Sequence, residues 1–163
     1  MIIKTKKYQL DSKTYRKIAM KNILLSQWWL PTAIFFGIII LNLLLNLTVY
    51  ENLWIYFLAP VGAGLYYLFW LVQFTGAPHL EQMKPMFQKL NYEISGKEIL
   101  MKMNARQGMQ MKWEMIKSAE KSKDAFILFF SKAQFLHLPF RIFNSDNDLR
   151  FTEALLKRKN LLK

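Results

Sequence analysis

Two long uncharged stretches constrain this chain more than any other feature. No acid, lysine or arginine occurs in the 29 residues between Lys21 and Glu51, or in the next 29 between Glu51 and Glu81. A helix rises about 1.5 Å per residue, so about 20 residues cover the roughly 30 Å hydrocarbon core of a bilayer. Each stretch is long enough to cross. Leu30–Val49 contains thirteen Leu, Ile, Phe or Val, and Leu53–Phe74 contains eleven. At about −0.3 to −0.6 kcal/mol each near the bilayer centre, they favour insertion by on the order of −4 to −8 and −3 to −7 kcal/mol before polar residues are subtracted. A buried helix of a soluble core normally carries a polar stripe, and these stretches carry none. A cleaved secretory signal would need a shorter apolar segment and a small-residue cleavage site, so cleavage is not expected.

Charge is segregated around these stretches. The formal charge is +12: residues 1–27 hold seven bases and one acid, 28–78 one acid and no base, and 79–163 sixteen bases and nine acids. This predicts three regions: an N-terminal strand with a basic interfacial helix (1–27), a two-span transmembrane hairpin (28–78, spans near 30–49 and 53–74), and a cytoplasmic domain (79–163). Positive-inside asymmetry puts both ends in the cytoplasm and the turn at Glu51 and Asn52 outside, in a two-span protein of the cell membrane. Disorder is excluded by the 53% hydrophobic content, and a disulfide scaffold by the lack of cysteine.

Several residues have expected roles at the membrane. Trp28, Trp29, Tyr50, Trp54 and Trp70 lie where amphipathic rings favour the headgroup region. Lys13, Arg16, Lys17 and Lys21 share one arc of a helix and Tyr15, Ile18, Ala19 and Ile23 the other, which predicts an interfacial helix with its basic face on the anionic leaflet. Asn42 and Asn46, four residues apart, predict a helix–helix contact through amide hydrogen bonds, within the hairpin or between two copies of the chain. A transport site is disfavoured because neither span holds an ionisable group. Ala59-Pro60-Val61-Gly62-Ala63-Gly64 permits a kink and close backbone approach.

Beyond Gly76-Ala77-Pro78 the periodicity falls to two. Strands are expected at Tyr92–Ile94, across 99–103 and 109–113 with a hairpin loop between them, and at Met115–Glu120, Ala125–Phe130 and Phe135–Pro139. Asn144 or Ser145 starts a final helix, with Ser145 and Asp148 at capping-box spacing and Lys157, Arg158 and Lys159 in its last turn. Leu149, Phe151, Thr152, Leu155 and Leu156 form its apolar face. The expected fold is thus a membrane protein of α+β class: a two-helix hairpin, then a small antiparallel sheet of pleckstrin-homology-like outline closed by a C-terminal amphipathic helix.

Three motifs carry a resemblance: Tyr8-Gln9-Leu10-Asp11 with Tyr15; Met111-Lys112-Trp113-Glu114-Met115-Ile116; and Leu138-Pro139-Phe140-Arg141-Ile142-Phe143 leading into the last helix. In these the chain resembles the YcxB-like family of small bacterial membrane proteins. The resemblance implies a strand ahead of two membrane spans and a C-terminal domain of pleckstrin-homology type, and it carries over no catalytic residue.

Little else points to chemistry. His79 and His137 have no ligand spacing around them, and the Met101/Met103 and Met109/Met111 pairs are explained by strand alternation onto one buried face better than by copper(I). There is no phosphate loop, nucleophile elbow or paired-carboxylate segment, so neither an enzyme nor a bound cofactor is expected. Lys102, Arg106, Lys121 and Lys123, with Lys112 and Lys117, are candidates for a lipid-headgroup rim, although Glu114, Glu120 and Asp124 between them suit an ordinary solvated face. Nucleic acid is not an expected partner, because exposed aromatics do not interleave with the bases. The sequence therefore favours a non-enzymatic membrane protein whose cytoplasmic domain docks a protein partner or the inner leaflet. The alternative is an accessory subunit of a small transport or export complex.

Overall fold

The structure, a computed structural model, describes residues 2–48, 52–104 and 107–162. It divides into two compact units. One is formed by the chain up to Ser12 together with everything from Leu80 onward, the other by Lys13–His79. The expectation that placed Glu51 and Tyr50 in the turn falls outside the described residues.

The unit of residues 13–79 is helical. Helix α1 (Ser12–Ser26) buries Tyr15, Ala19 and Ile23, one residue per turn. Helix α2 runs over Trp29–Thr48. Pro31 in its first turn has no N–H to give the Gln27 carbonyl, so the chain breaks between α1 and α2. A 3-10 segment, Leu53–Phe57, leads into α3 (Leu58–Gly76). Pro60 sits in the first turn of α3, where a missing N–H does little harm, so it marks the entry to the helix and not a kink within it. Gly62 is a point of close helix approach. A Cβ there would lie 3.0 Å from Ile38 Cδ1 and 3.2 Å from Ile34 Cγ2, whereas one on Gly64 would meet nothing within 4 Å.

The apolar arc of α1 is enclosed by protein. Tyr15 meets Phe74 of α3 edge-on at 6.1 Å between ring centroids, and Ala19 and Ile23 are fully buried. In α2 only Pro31 and Asn42 are buried, and in α3 only Ala59 and Phe74. The two helices therefore expose most of their leucines, isoleucines and phenylalanines.

The other unit is α+β. Strand β1 (Ile2–Lys4) pairs antiparallel with β2 (Asn91–Ser95), which pairs with β3 (Glu98–Lys102), which pairs with β4 (Gly108–Lys112). A second sheet holds β5 (Ser118–Lys121), β6 (Ala125–Phe129) and β7 (Phe135–Pro139) in that order. Where one small sheet was expected, there are two. The chain changes sheets through a 3-10 turn at Trp113–Met115, closed by Ile116 N–H donating to the Trp113 carbonyl at 3.0 Å, so the strand expected from Met115 begins only at Ser118. Trp113 is buried and its Nε1 donates to the Ser95 carbonyl at 3.0 Å.

Strand β6 is buried on both faces over Ala125–Leu128, which explains its continuous apolar run. Helix α4 (Asp146–Arg158) starts at Ser145, whose Oγ accepts from Asp148 N–H at 3.2 Å, and buries Thr152, Leu155 and Leu156. It ends at Asn160, in the left-handed region with φ 56°, after which Leu161 N–H closes back on the Leu156 carbonyl at 3.0 Å. The Leu161 carbonyl then accepts from Ala119 N–H in β5, tying the helix end to the second sheet.

The connection between β1 and β2 matters most for function. Beyond the strand pair, Thr5 N–H donates to the Tyr92 carbonyl, and Tyr8 and Leu90 exchange both backbone hydrogen bonds at 2.7 and 2.8 Å. The whole helical unit is an insertion between two neighbouring segments of one sheet.

Candidate functional site

The α+β unit holds a cavity of about 690 Å³. Its floor is set by strand alternation. Tyr92 and Met111 face it from the first sheet, Phe135 and His137 from β7, and Leu10 and Leu90 from the segments that bridge beside Tyr8. Six of the nine methionines line it: Met86, Met101, Met103, Met109, Met111 and Met115. The sequence reading placed Met101, Met103, Met109 and Met111 together on a buried face. They do share a wall, but only Met111 is buried; Met101 and Met103 are half-buried and Met109 is 51% exposed, because the wall borders open space and not packed core.

His137, in this floor, is one half of a polar pair. Tyr8 Oη and His137 Nδ1 are 2.7 Å apart, joining residues 129 positions apart in the chain. Burial, with the Asp11 charge adding to it, pushes the Tyr8 phenol up to about 12, and burial holds the His137 imidazole below its usual range. At neutral pH both groups are uncharged. A buried phenol needs an acceptor, so Tyr8 O–H donates to Nδ1 and the ring proton of His137 belongs on Nε2. Arg141 lies over the Tyr8 ring at 5.9 Å and opposes the rise in its pKa. Tyr92, also in the floor, is pushed upward by burial first and by neighbouring Tyr8 second.

In the sequence His137 has no ligand spacing around it, and its pairing with Tyr8 is missed because nothing local in either sequence neighbourhood announces it. Among the described residues no group of three or more His, Asp or Glu converges as a metal-ligand set.

The other expected site residues are placed as follows. Trp28, Trp29 and Trp54 are 63%, 56% and 78% exposed, while Trp70 stacks on Phe74 with its Nε1 enclosed and unpartnered among the described residues. Lys13, Lys17 and Lys21 lie on the exposed side of α1 and Arg16 is half-buried. Asn42 and Asn46 both reach the backbone of Asn52, each donating to its carbonyl at 3.3 Å, and Asn46 Oδ1 accepts from Asn52 N–H at 2.6 Å. The two amides thus fasten the loop after α2. Lys102 is paired with Glu93 at 2.8 Å and Lys121 with Glu153 at 2.7 Å, on different sheets; Lys123 is exposed near Lys121, and Arg106 lies outside the described residues. Of the four rim candidates, the two that form ion pairs belong to separate local networks.

Comparison with known proteins now adds one finding. Residues 94–156 match the YcxB-like protein family. The match runs from the second half of β2 to α4 and includes His137 and five of the six cavity methionines, whereas β1, Tyr8 and Leu10 lie outside it. No curated protein and no solved structure matched the chain. In the other unit, the segments Trp29–Thr48 and Leu53–His79, of 20 and 27 residues, are long and apolar enough to span a membrane.

Proposed function

We propose that this is an integral membrane protein of the cell membrane in which a two-span hairpin anchors a YcxB-like binding domain at the cytoplasmic surface. The observation that carries this reading is the strand pairing of β1 with β2 across the hairpin. A chain that leaves one side of a bilayer and returns to the same sheet must cross an even number of times, and two spans satisfy that. The nearly bare apolar surfaces of α2 and α3 support it further. Over an 18-residue stretch of each segment only 11% and 6% is buried, against the extensive cover a soluble core helix would have.

Orientation follows from the bases. The β1 segment and α1 carry seven Lys or Arg, and the loop side has none, which favours β1 and the YcxB-like domain on the cytoplasmic side. Exposed Lys13, Lys17 and Lys21 then add attraction to an anionic leaflet at about 1 kcal/mol per base near the surface. Seven strands in two antiparallel sheets with a C-terminal helix support a pleckstrin-homology-like reading of the domain, which in this account binds a ligand or partner without catalysing a reaction. The test is extraction. In alkaline carbonate the full chain should stay in the membrane pellet and float with lipid on a density gradient; recovery in the soluble fraction would refute the anchor.

A further inference from the structure

We infer that the methionine-lined cavity of the α+β unit is a binding site for an uncharged acyl lipid, with the imidazole of His137 donating to the carbonyl of its ester. Only the source of the ligand, the adjoining bilayer, rests on the membrane reading above. A volume of about 690 Å³ falls within the roughly 300–1,000 Å³ of small-molecule sites. Its chemistry narrows the occupant. Among the described residues that line it there is no Asp, Glu, Lys or Arg. A phosphate or carboxylate seated there would lose its water without gaining a cation. Methionine side chains, unbranched and polarisable, adapt to a flexible apolar chain better than rigid Val or Ile would.

The cavity is amphipathic in the manner that suits such a molecule. Its rim carries the exposed amides of Gln82, Gln88, Gln107 and Gln134, and its floor carries one hydrogen-bonding imidazole. Because Tyr8 occupies Nδ1, Nε2–H is the ring donor left for a ligand. A neutral carbonyl complements that donor; an ammonium or a second donor does not. In sequence, the cavity wall begins shortly after α3. Gln82 and Met86 in its wall follow the last residue of α3, Gly76, by only six and ten positions. Six residues span at most about 22 Å when fully extended.

The full-length protein, reconstituted in phosphatidylcholine nanodiscs, would be irradiated with a trace of diacylglycerol carrying a diazirine on one acyl chain, and the labelled peptides mapped. Label is expected both on α2 or α3 and on the cavity walls near Met101–Met115 and Phe135–His137. The Met101→Gln, Met103→Gln double variant, at half-buried positions that tolerate polar side chains, should lower cavity label about tenfold and leave helix label unchanged. His137→Phe, which keeps the ring volume and removes the donor, should lower it about fivefold. A matching diazirine fatty acid, ionised at neutral pH, should label the cavity far less than the diacylglycerol. Helix label without cavity label would overturn the inference and leave the membrane reading standing; loss of both would overturn the membrane reading. Equal cavity labelling by fatty acid and diacylglycerol, or displacement of the label by an amphipathic helical peptide but not by unlabelled diacylglycerol, would also overturn the inference.

Discussion

The two glycines of α3 should respond oppositely to the same substitution. In a helix interior, Gly→Ala gains about 0.5–1 kcal/mol because the backbone loses less entropy on ordering. At Gly64 a new Cβ meets nothing within 4 Å, so Gly64→Ala should gain that full amount. At Gly62 the new methyl would lie 3.0 Å from Ile38 Cδ1 and 3.2 Å from Ile34 Cγ2. The Ile38 contact is a side-chain end that can yield, but Ile34 Cγ2 is held by a β-branched χ1 that in a helix has one strongly preferred rotamer. Overpacking of this kind costs about 1–3 kcal/mol, so set against the helix-propensity gain Gly62→Ala should come out neutral to about 2.5 kcal/mol destabilising, and Gly62→Leu at the upper end of that range. Reversible unfolding of the full chain in mixed micelles of increasing denaturing detergent, followed by tryptophan fluorescence, would read the difference. If Ala at 62 and 64 shifts the midpoint by the same amount and sign, the packing of α3 against α2 at Gly62 is wrong.

Three further outcomes are expected. Ser145→Ala removes the oxygen that caps Asp148 N–H and should destabilise the α+β unit by about 1 kcal/mol in thermal melts, with Ser145→Asp restoring most of the loss. The folded pKa of His137 lies below its ordinary 6.5, so the unfolded chain binds the extra proton first; stability should be fully present above about pH 6.5 and fall as pH drops through the folded pKa, and that acid slope should shrink in His137→Phe. Because the chain has no cysteine, Ile2→Cys with Ser95→Cys, opposite each other in β1 and β2, should oxidise to an intramolecular disulfide without competing thiols, and failure to form it would refute the shared sheet.

The two long apolar helices were legible because length and absence of charge are properties of a contiguous stretch. The same holds for β6, β7 and α4, whose periodicity and cap chemistry sit within a few residues of one another. Three features were not legible. Trp113 continued the alternation of Met109 and Met111, yet its indole is drawn to the Ser95 carbonyl and the chain turns there into a second sheet. Tyr15, Ala19 and Ile23 were legible as the apolar arc opposite the bases of α1, but not as residues enclosed by protein; a hydrophobic stripe specifies that a face is covered, not what covers it. Tyr8 and His137 meet only after the sheets form, so the polar floor of the cavity had no local signature.

The central claim is that the chain crosses the membrane twice between β1 and β2. Single cysteines at Lys7, Leu53 and Lys97, all at exposed positions, would be treated on intact cells with a membrane-impermeant maleimide. Leu53→Cys should be labelled from outside, and Lys7→Cys and Lys97→Cys only after lysis. Labelling of all three before lysis, or of position 7 and position 97 from opposite sides, would contradict it.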